Sequence, residues 1–200
     1  IWAGTQGGGV TLFDGKQFKS LVDNESTIKS KFINALYTSS DGKVWIGTMQ
    51  GLYFYQNDTI HETKNENSLD FQVYSIIDYK DTIYVGTNKG MYRYHADRLI
   101  RTSLDFKTSS IINDMKVING QLWVASDKGL FIQKSNGRFT KTSGLPYPNI
   151  NHIYGDESGY VWLSIFTFGL IKLDSHTHKI VTKYDNSLLS KTKSILGQPN

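Results

Sequence analysis

Five histidines are present, and His176 and His178 alone among them stand one residue apart. A His-x-His pair on one strand face can ligate a metal. The surrounding Asp174-Ser175-His176-Thr177-His178-Lys179 reads as a polar turn, so solvated turn histidines are the alternative, and a metal site would need a third ligand. Gly7-Gly8-Gly9 lacks the Lys-Ser/Thr that follows in a phosphate loop and opens no helical pattern, so a turn with positive φ explains it. Asp41, Asp81 and Asp156 fall where turn chemistry accounts for a carboxylate. With no Cys there is no thiolate metal site, iron–sulfur cluster, disulfide or Cys nucleophile. No paired carboxylates and no Ser–His–acid set emerge, so the sequence predicts no catalytic residue, no metal and no cofactor.

What positions these residues is a repeat. Ile1-Trp2-Ala3-Gly4-Thr5, Val44-Trp45-Ile46-Gly47-Thr48, Ile83-Tyr84-Val85-Gly86-Thr87, Leu122-Trp123-Val124-Ala125-Ser126 and Val161-Trp162-Leu163-Ser164-Ile165 align, with their aromatics 43, 39, 39 and 39 residues apart. A second strand follows each copy after a short hairpin, as in Gly51-Leu52-Tyr53-Phe54-Tyr55 and Gly90-Met91-Tyr92-Arg93-Tyr94. Another precedes each of the last four, with apolar residues three apart: Ile33 and Leu36, Val73 and Ile76, Ile112 and Met115, Ile150 and Ile153. A more polar strand closes each unit, as in Arg138-Phe139-Thr140. Four short antiparallel strands in about 39 residues match a β-propeller blade. Both faces of the aromatic strand are apolar or small, so both must be covered, as between neighbouring blades. Trp2, Trp45, Tyr84, Trp123 and Trp162 are the predicted blade core, with Gly47 and Gly86 small because an adjacent sheet comes close.

The composition agrees. Only 3 Pro, against 18 Gly, 4 Trp, 12 Tyr and 10 Phe, suits short strands and tight turns. The net charge of +4 is spread along the chain, which argues against a nucleic-acid partner. No apolar run approaches the roughly 18 residues of a membrane-spanning helix.

Two groups of residues are candidate ligand contacts. Asn34, Tyr74, Asn113 and Asn151, with His152, start the innermost strands near a central channel, where they either satisfy one another and water or form a hydrogen-bonding ring for a ligand or docked domain. The hairpin tips carry Gln6, Gln50, Lys89, Lys128, Phe166 and Phe168, and exposed aromatics there suit sugar rings or protein contacts.

The order Gly144-Leu145-Pro146, Ile150, Ile153, Asp156, Gly159, Val161-Trp162, together with Ile33, Leu36, Gly42, Val44-Trp45-Ile46-Gly47-Thr48, Gly51-Leu52-Tyr53 and Tyr55, closely resembles the two-component regulator propeller repeat. Tyr84 in place of Trp, shorter first turns in the third and fourth copies, and the longer Phe166-Thr167-Phe168 hairpin depart from it. That repeat builds the extracytoplasmic sensor region of hybrid histidine kinases, notably those controlling polysaccharide use in Bacteroides-like bacteria. There, paired propellers, commonly seven-bladed, precede an immunoglobulin-like module, a membrane helix and cytoplasmic kinase parts.

The resemblance implies a ligand-sensing or scaffolding segment in the periplasm. It would answer to carbohydrate breakdown products, without a catalytic constellation of its own. A purely structural interaction propeller and, further off, a metal-dependent propeller lyase are the alternatives. Expected partners are an oligosaccharide, neighbouring blades or domains and a second copy of the chain, with no membrane contact by the segment. Residues 1–200 read as one propeller segment: a partial blade over 1–31, blades near 32–71, 72–110, 111–149 and 150–187, and a first strand over 188–200. Ile1 in place of Met suggests a piece of a longer polypeptide, and an open arc of a larger propeller is expected. Because ligands in the resembled family lie where a propeller meets neighbouring parts, weak oligosaccharide binding is expected of the segment alone.

Overall fold

The computed structural model describes residues 1–21, 27–65, 71–104 and 110–185. Among them every regular element is a β-strand. The chain divides into two compact units, Ile1–Thr102 and Ser103–Asn200.

The first unit holds three sheets. Strands β1 (Trp2–Gly4), β2 (Val10–Phe13) and β3 (Phe18–Ser20) make a three-stranded antiparallel meander. Strands β4 (Ile33–Thr38), β5 (Val44–Thr48), β6 (Gly51–Gln56) and β7 (Thr59–Glu62) make a four-stranded one. The third sheet runs β9 (Val73–Tyr79), β10 (Thr82–Thr87), β11 (Gly90–His95) and β12 (Arg98–Thr102), with β8 (Lys64–Asn65) added parallel to β12. In the second unit, β13 (Ile112–Ile118), β14 (Gln121–Ser126), β15 (Gly129–Gln133) and β16 (Phe139–Lys141) form one sheet. β17 (Ile150–Gly155), β18 (Tyr160–Ile165), β19 (Gly169–Asp174) and β20 (Ile180–Asp185) form the other. These are propeller blades, with the apolar-triplet strand first and the aromatic strand second. The pairing of the segment around Ile195 with the strand around Trp2, on which closure depends, lies outside the described residues, as does the strand expected over 188–200.

The repeat's final Thr or Ser shapes its hairpin. Thr87 Oγ1 accepts a hydrogen bond from the Lys89 amide at 3.0 Å and donates to the Gly90 carbonyl at 2.7 Å. Gly90 follows with φ of 123°, a backbone closed to residues bearing Cβ. Thr48 and Ser126 repeat the bonds. Ile165 has no hydroxyl to offer, and its hairpin takes three residues, Phe166 to Phe168, with Thr167 at φ 63°.

Close approach explains the small residue two places after the aromatic. A Cβ on Gly47 would stand 2.5 Å from Val73 Cγ1 on the next sheet's first strand, and one on Gly4 would stand 2.6 Å from Ile33 Cγ2. Both are well inside van der Waals contact, so any side chain must push the sheets apart. The aromatics bridge the same seam: Trp2 meets Tyr55 edge-on at 4.8 Å, and Trp45 meets Tyr94 at 4.8 Å. Trp45 and Trp123 are 1% and 0% exposed. Tyr84 and Trp162, expected to be as deeply buried, are only half-buried. Trp162 stacks on Tyr184 at 5.6 Å beneath the Lys172 ammonium, and the chain beyond Asp185 lies outside the described residues.

Candidate functional site

All four polar residues expected to line a channel sit at β-bulges. Along β4 the partners on β5 step from Ile33 to Ala35, so Asn34 is left out of the ladder. The same step passes over Tyr74 on β9, Asn113 on β13 and Asn151 on β17. A bulge frees a residue from its own sheet and re-aims its side chain. Asn34 Nδ2 donates to the Val73 carbonyl at 3.1 Å, and Asn113 Nδ2 donates to the Ile150 carbonyl at 2.7 Å. Each amide thus satisfies the carbonyl just before the next strand's bulge, tying one blade to the next. Tyr74 turns to its own strand, its hydroxyl donating to Gln72 Oε1.

Beside this row stands a residue that the sequence reading passed over. Asp114 is 7% exposed, and its Oδ2 accepts the Ile153 amide of β17 at 2.9 Å while Oδ1 accepts its own neighbour's amide, Met115, at 2.8 Å. His152 Nδ1 stands 3.6 Å from Asp114 Oδ2 and Lys116 Nζ 3.6 Å from Oδ1. The signal lay in the alignment: Ala35, Ser75, Asp114 and His152 occupy one register, so two blades set charge-bearing groups where others place small residues. Two backbone amides and two basic side chains thus gather around one buried carboxyl. Among the described residues no group of three or more His, Asp or Glu side chains gathers as a metal-ligand set.

The hairpin tips behave less uniformly. The Met49, Asn88, Asp127 and Phe166 amides donate to the carbonyls of Phe32, Gln72, Ile111 and Asn149, so each tip is fastened to the entry of its own sheet's first strand. Gln6 Nε2 donates to the Ile33 carbonyl at 3.2 Å. Lys128 Nζ lies 3.6 Å from Asp127 Oδ2, and the Lys89 amide caps its turn. Phe166 is 54% exposed. Phe168, expected beside it as an open platform, instead packs onto the second unit's core and against Tyr147 at 5.4 Å. Tyr147, which the sequence did not single out, is itself 47% exposed.

The turn histidines are separate in role. The His176 ring meets Ser175 Oγ at 3.1 Å. His178, at φ 60°, stands perpendicular to Trp123 with ring centroids 5.1 Å apart, and burial lowers its pKa below the usual imidazole range. Asp174 closes the turn by accepting the His176 and Thr177 amides and the Thr177 hydroxyl on Oδ1.

Blades of this construction, repeated along one chain, define a β-propeller repeat protein. Residues 27–50, which contain β4, β5 and the turn between them, match the two component regulator propeller family. That stretch therefore matches one copy of the repeat, as its residues suggest. None of the curated proteins compared with it matches in sequence.

Solved structures share the fold. The extracellular domain of the putative hybrid two component system BT3049 from B. thetaiotaomicron is 21% identical at a TM-score of 0.69, over 90% of this chain and 26% of that one. PorZ, a surface component of the type-IX secretion system of Porphyromonas gingivalis, is 17% identical at 0.68, over 92% of this chain and 32% of that one. The WD40 β-propeller domain of Doa1 is 16% identical at 0.63, over 93% and 64%. The chain thus spans about a quarter to a third of the length of the two bacterial proteins. No helix among the described residues is long and apolar enough to cross a membrane.

Proposed function

We propose that the chain is a ligand-sensing or scaffolding segment of the periplasmic input region of a hybrid two-component sensor, responding to carbohydrate breakdown products. The observation that carries this reading is the family match over residues 27–50. The likeness of the blades to the BT3049 extracellular domain supports it. In this role the fold presents ligand-facing tips and transmits occupancy through blade seams such as Asn34–Val73 and Asn113–Ile150, while phosphoryl transfer belongs to a kinase elsewhere in the full-length protein. Neighbouring blades and a second copy of the chain are its protein partners in this reading, and the segment touches neither nucleic acid nor membrane.

The test couples the flanking coding sequence to a transcriptional reporter for the full-length protein. The expected result is a membrane helix and kinase motifs downstream, with output that rises on adding one class of polysaccharide hydrolysate. A flanking sequence without kinase motifs, or output indifferent to every glycan offered, would overturn the reading and favour a purely structural interaction propeller.

A further inference from the structure

In the second unit the outer strand β16 and the segment leading from it toward β17 border three neighbouring clefts, of about 520, 470 and 650 Å³. Volumes of this size suit small ligands. The first and second share the run Lys141 to Gly144, and the second and third share Lys134 and Thr140, so the three adjoin along β16.

Its charge is one-sided. Lys134, Arg138, Lys141 and Lys179 line it, and no Asp or Glu does. Elsewhere Lys29, Lys43, Lys116 and Lys128 each have a carboxylate within 2.6 to 3.6 Å. None of the four cleft cations has one among the described residues. Asp174, whose charge reaches His178 in the second cleft, already accepts three donors on Oδ1. Four like charges without a counter-ion on the protein raise the local potential and favour an anion from outside.

The rest of the lining is suited to a sugar. Tyr147, half-exposed and in ring contact with Phe168 at 5.4 Å, lines the first cleft and offers aromatic surface. Thr140, Thr142 and Ser143 add hydroxyl donors and acceptors to the lining. The Lys141 stem runs beside Gly129, with its Cε 2.7 Å from where a Cβ would stand.

We propose that this surface binds an acidic oligosaccharide, one sugar ring resting on Tyr147 and its sulfate or carboxylate groups meeting Lys141, Lys134 and Lys179. The proposal rests on the carbohydrate-sensing reading above and adds the location and charge of the ligand. It departs from the inner-strand row, whose asparagine amides tie blades together.

Calorimetry on the 200-residue chain with a sulfated disaccharide, a uronate disaccharide without sulfate, a neutral disaccharide, inorganic sulfate and oligoglutamate tests it. Acidic disaccharides should bind, and the sulfated and uronate arms distinguish which anion is preferred. The neutral disaccharide should bind about tenfold more weakly or worse, and Lys134→Ala, Lys141→Ala and Lys179→Ala should each weaken acidic binding roughly fivefold, the scale of one partly screened charge pair. Tyr147→Ala should weaken the disaccharides and leave inorganic sulfate unchanged. All these side chains are at least partly exposed, so the variants should fold, and unchanged far-ultraviolet circular dichroism checks that.

Equal binding of neutral and acidic disaccharides, indifference to the lysine variants, or oligoglutamate binding as tightly as the sugars without need of Tyr147 would overturn the proposal. No acidic-sugar binding beside a glycan-dependent reporter overturns the cleft alone. Cleft binding beside a reporter indifferent to glycans overturns the sensing reading alone.

Discussion

The sheet β4–β7 of the first unit and the sheet β13–β16 of the second bury the same ring in the same register and treat its polar atom differently. Trp45 Nε1 donates to Ser39 Oγ at 3.0 Å, and Ser39 donates onward to Asp41 Oδ1 at 2.6 Å. Among the described residues, buried Trp123 Nε1 has no hydrogen-bond partner. The difference is set by turn length. Ser39 to Lys43 loop out between β4 and β5, placing a side-chain acceptor beside the indole. Asn119 and Gly120, at φ 50° and 68°, join β13 to β14 in a two-residue turn that has no room for one. The longer turn between β17 and β18 restores the cap, Asp156 Oδ2 accepting Trp162 Nε1 at 2.8 Å. The outer strands diverge as well. Glu62, opposite Tyr53, holds Lys29 at 2.6 Å, whereas Lys141, opposite Phe131 in the same register, faces the cationic clefts. The comparison separates a steric plan, which both sheets keep, from polar arrangements that each sheet makes locally.

If the steric plan is shared, the largest effects should be alike. Trp45→Ala and Trp123→Ala should each cost about 3 to 5 kcal/mol, the range for deleting a buried aromatic. Urea unfolding of the two variants against the parent measures this. A loss below about 1 kcal/mol at either site would show that its ring is not a core member and break the likeness.

The parts legible in the sequence were those that steric periodicity dictates. The aromatic at 39-residue spacing, the small residue two places on and the hairpin glycine leave a type signature at each repeat, because a wrong residue there clashes with backbone or with a neighbouring sheet. The bulges left none. Asn34 and Asn113 read as polar residues near a channel, and only the register shows that their amides serve the next blade. Asp114 was missed because its burial depends on accepting the Ile153 amide 39 residues away, a partner visible only once the strands are side by side. The cationic clefts were illegible for a related reason: Lys134, Lys141 and Lys179 are scattered along the chain, and the hairpins bring them together. Phe166 and Phe168 looked equivalent, yet the positive φ of Thr167 separates them, one to solvent and one to the core.

The polar difference should appear as a smaller effect, in a pair of gentler substitutions. Trp45→Phe removes a made hydrogen bond, whose net contribution is about 1 kcal/mol. Trp123→Phe removes a buried donor that has no partner, which relieves a desolvation penalty of about 1 to 3 kcal/mol against the same lost volume. Trp45→Phe should therefore be the more destabilising by roughly 2 to 4 kcal/mol in urea unfolding. Equal losses would mean that the Trp123 N–H finds an acceptor in solution, and that turn length does not decide the matter.

The smallest expected effect lies in acid. The Ser39 hydroxyl first, and then the Lys43 ammonium 2.9 Å away, hold the Asp41 carboxyl at about 2, below its ordinary 3.8. A carboxylate whose pKa is depressed in the folded state contributes its full stabilisation above the unfolded value and loses it as pH falls through the folded one. For Asp41 that window runs from about pH 4 down to about pH 2. The two-residue turn of β13–β14 has no counterpart, since Asn119 and Gly120 do not titrate. Because Asp41 is half-exposed, solvent screening keeps the contribution below about 1 kcal/mol. Asp41→Asn should lower the urea midpoint slightly at pH 7, and the gap between parent and variant should shrink through pH 3 and close by about pH 2. An equally large gap at both ends of that range would show that the asparagine disturbs the turn's geometry, and that the Ser39–Asp41–Lys43 charge arrangement is not what distinguishes this turn.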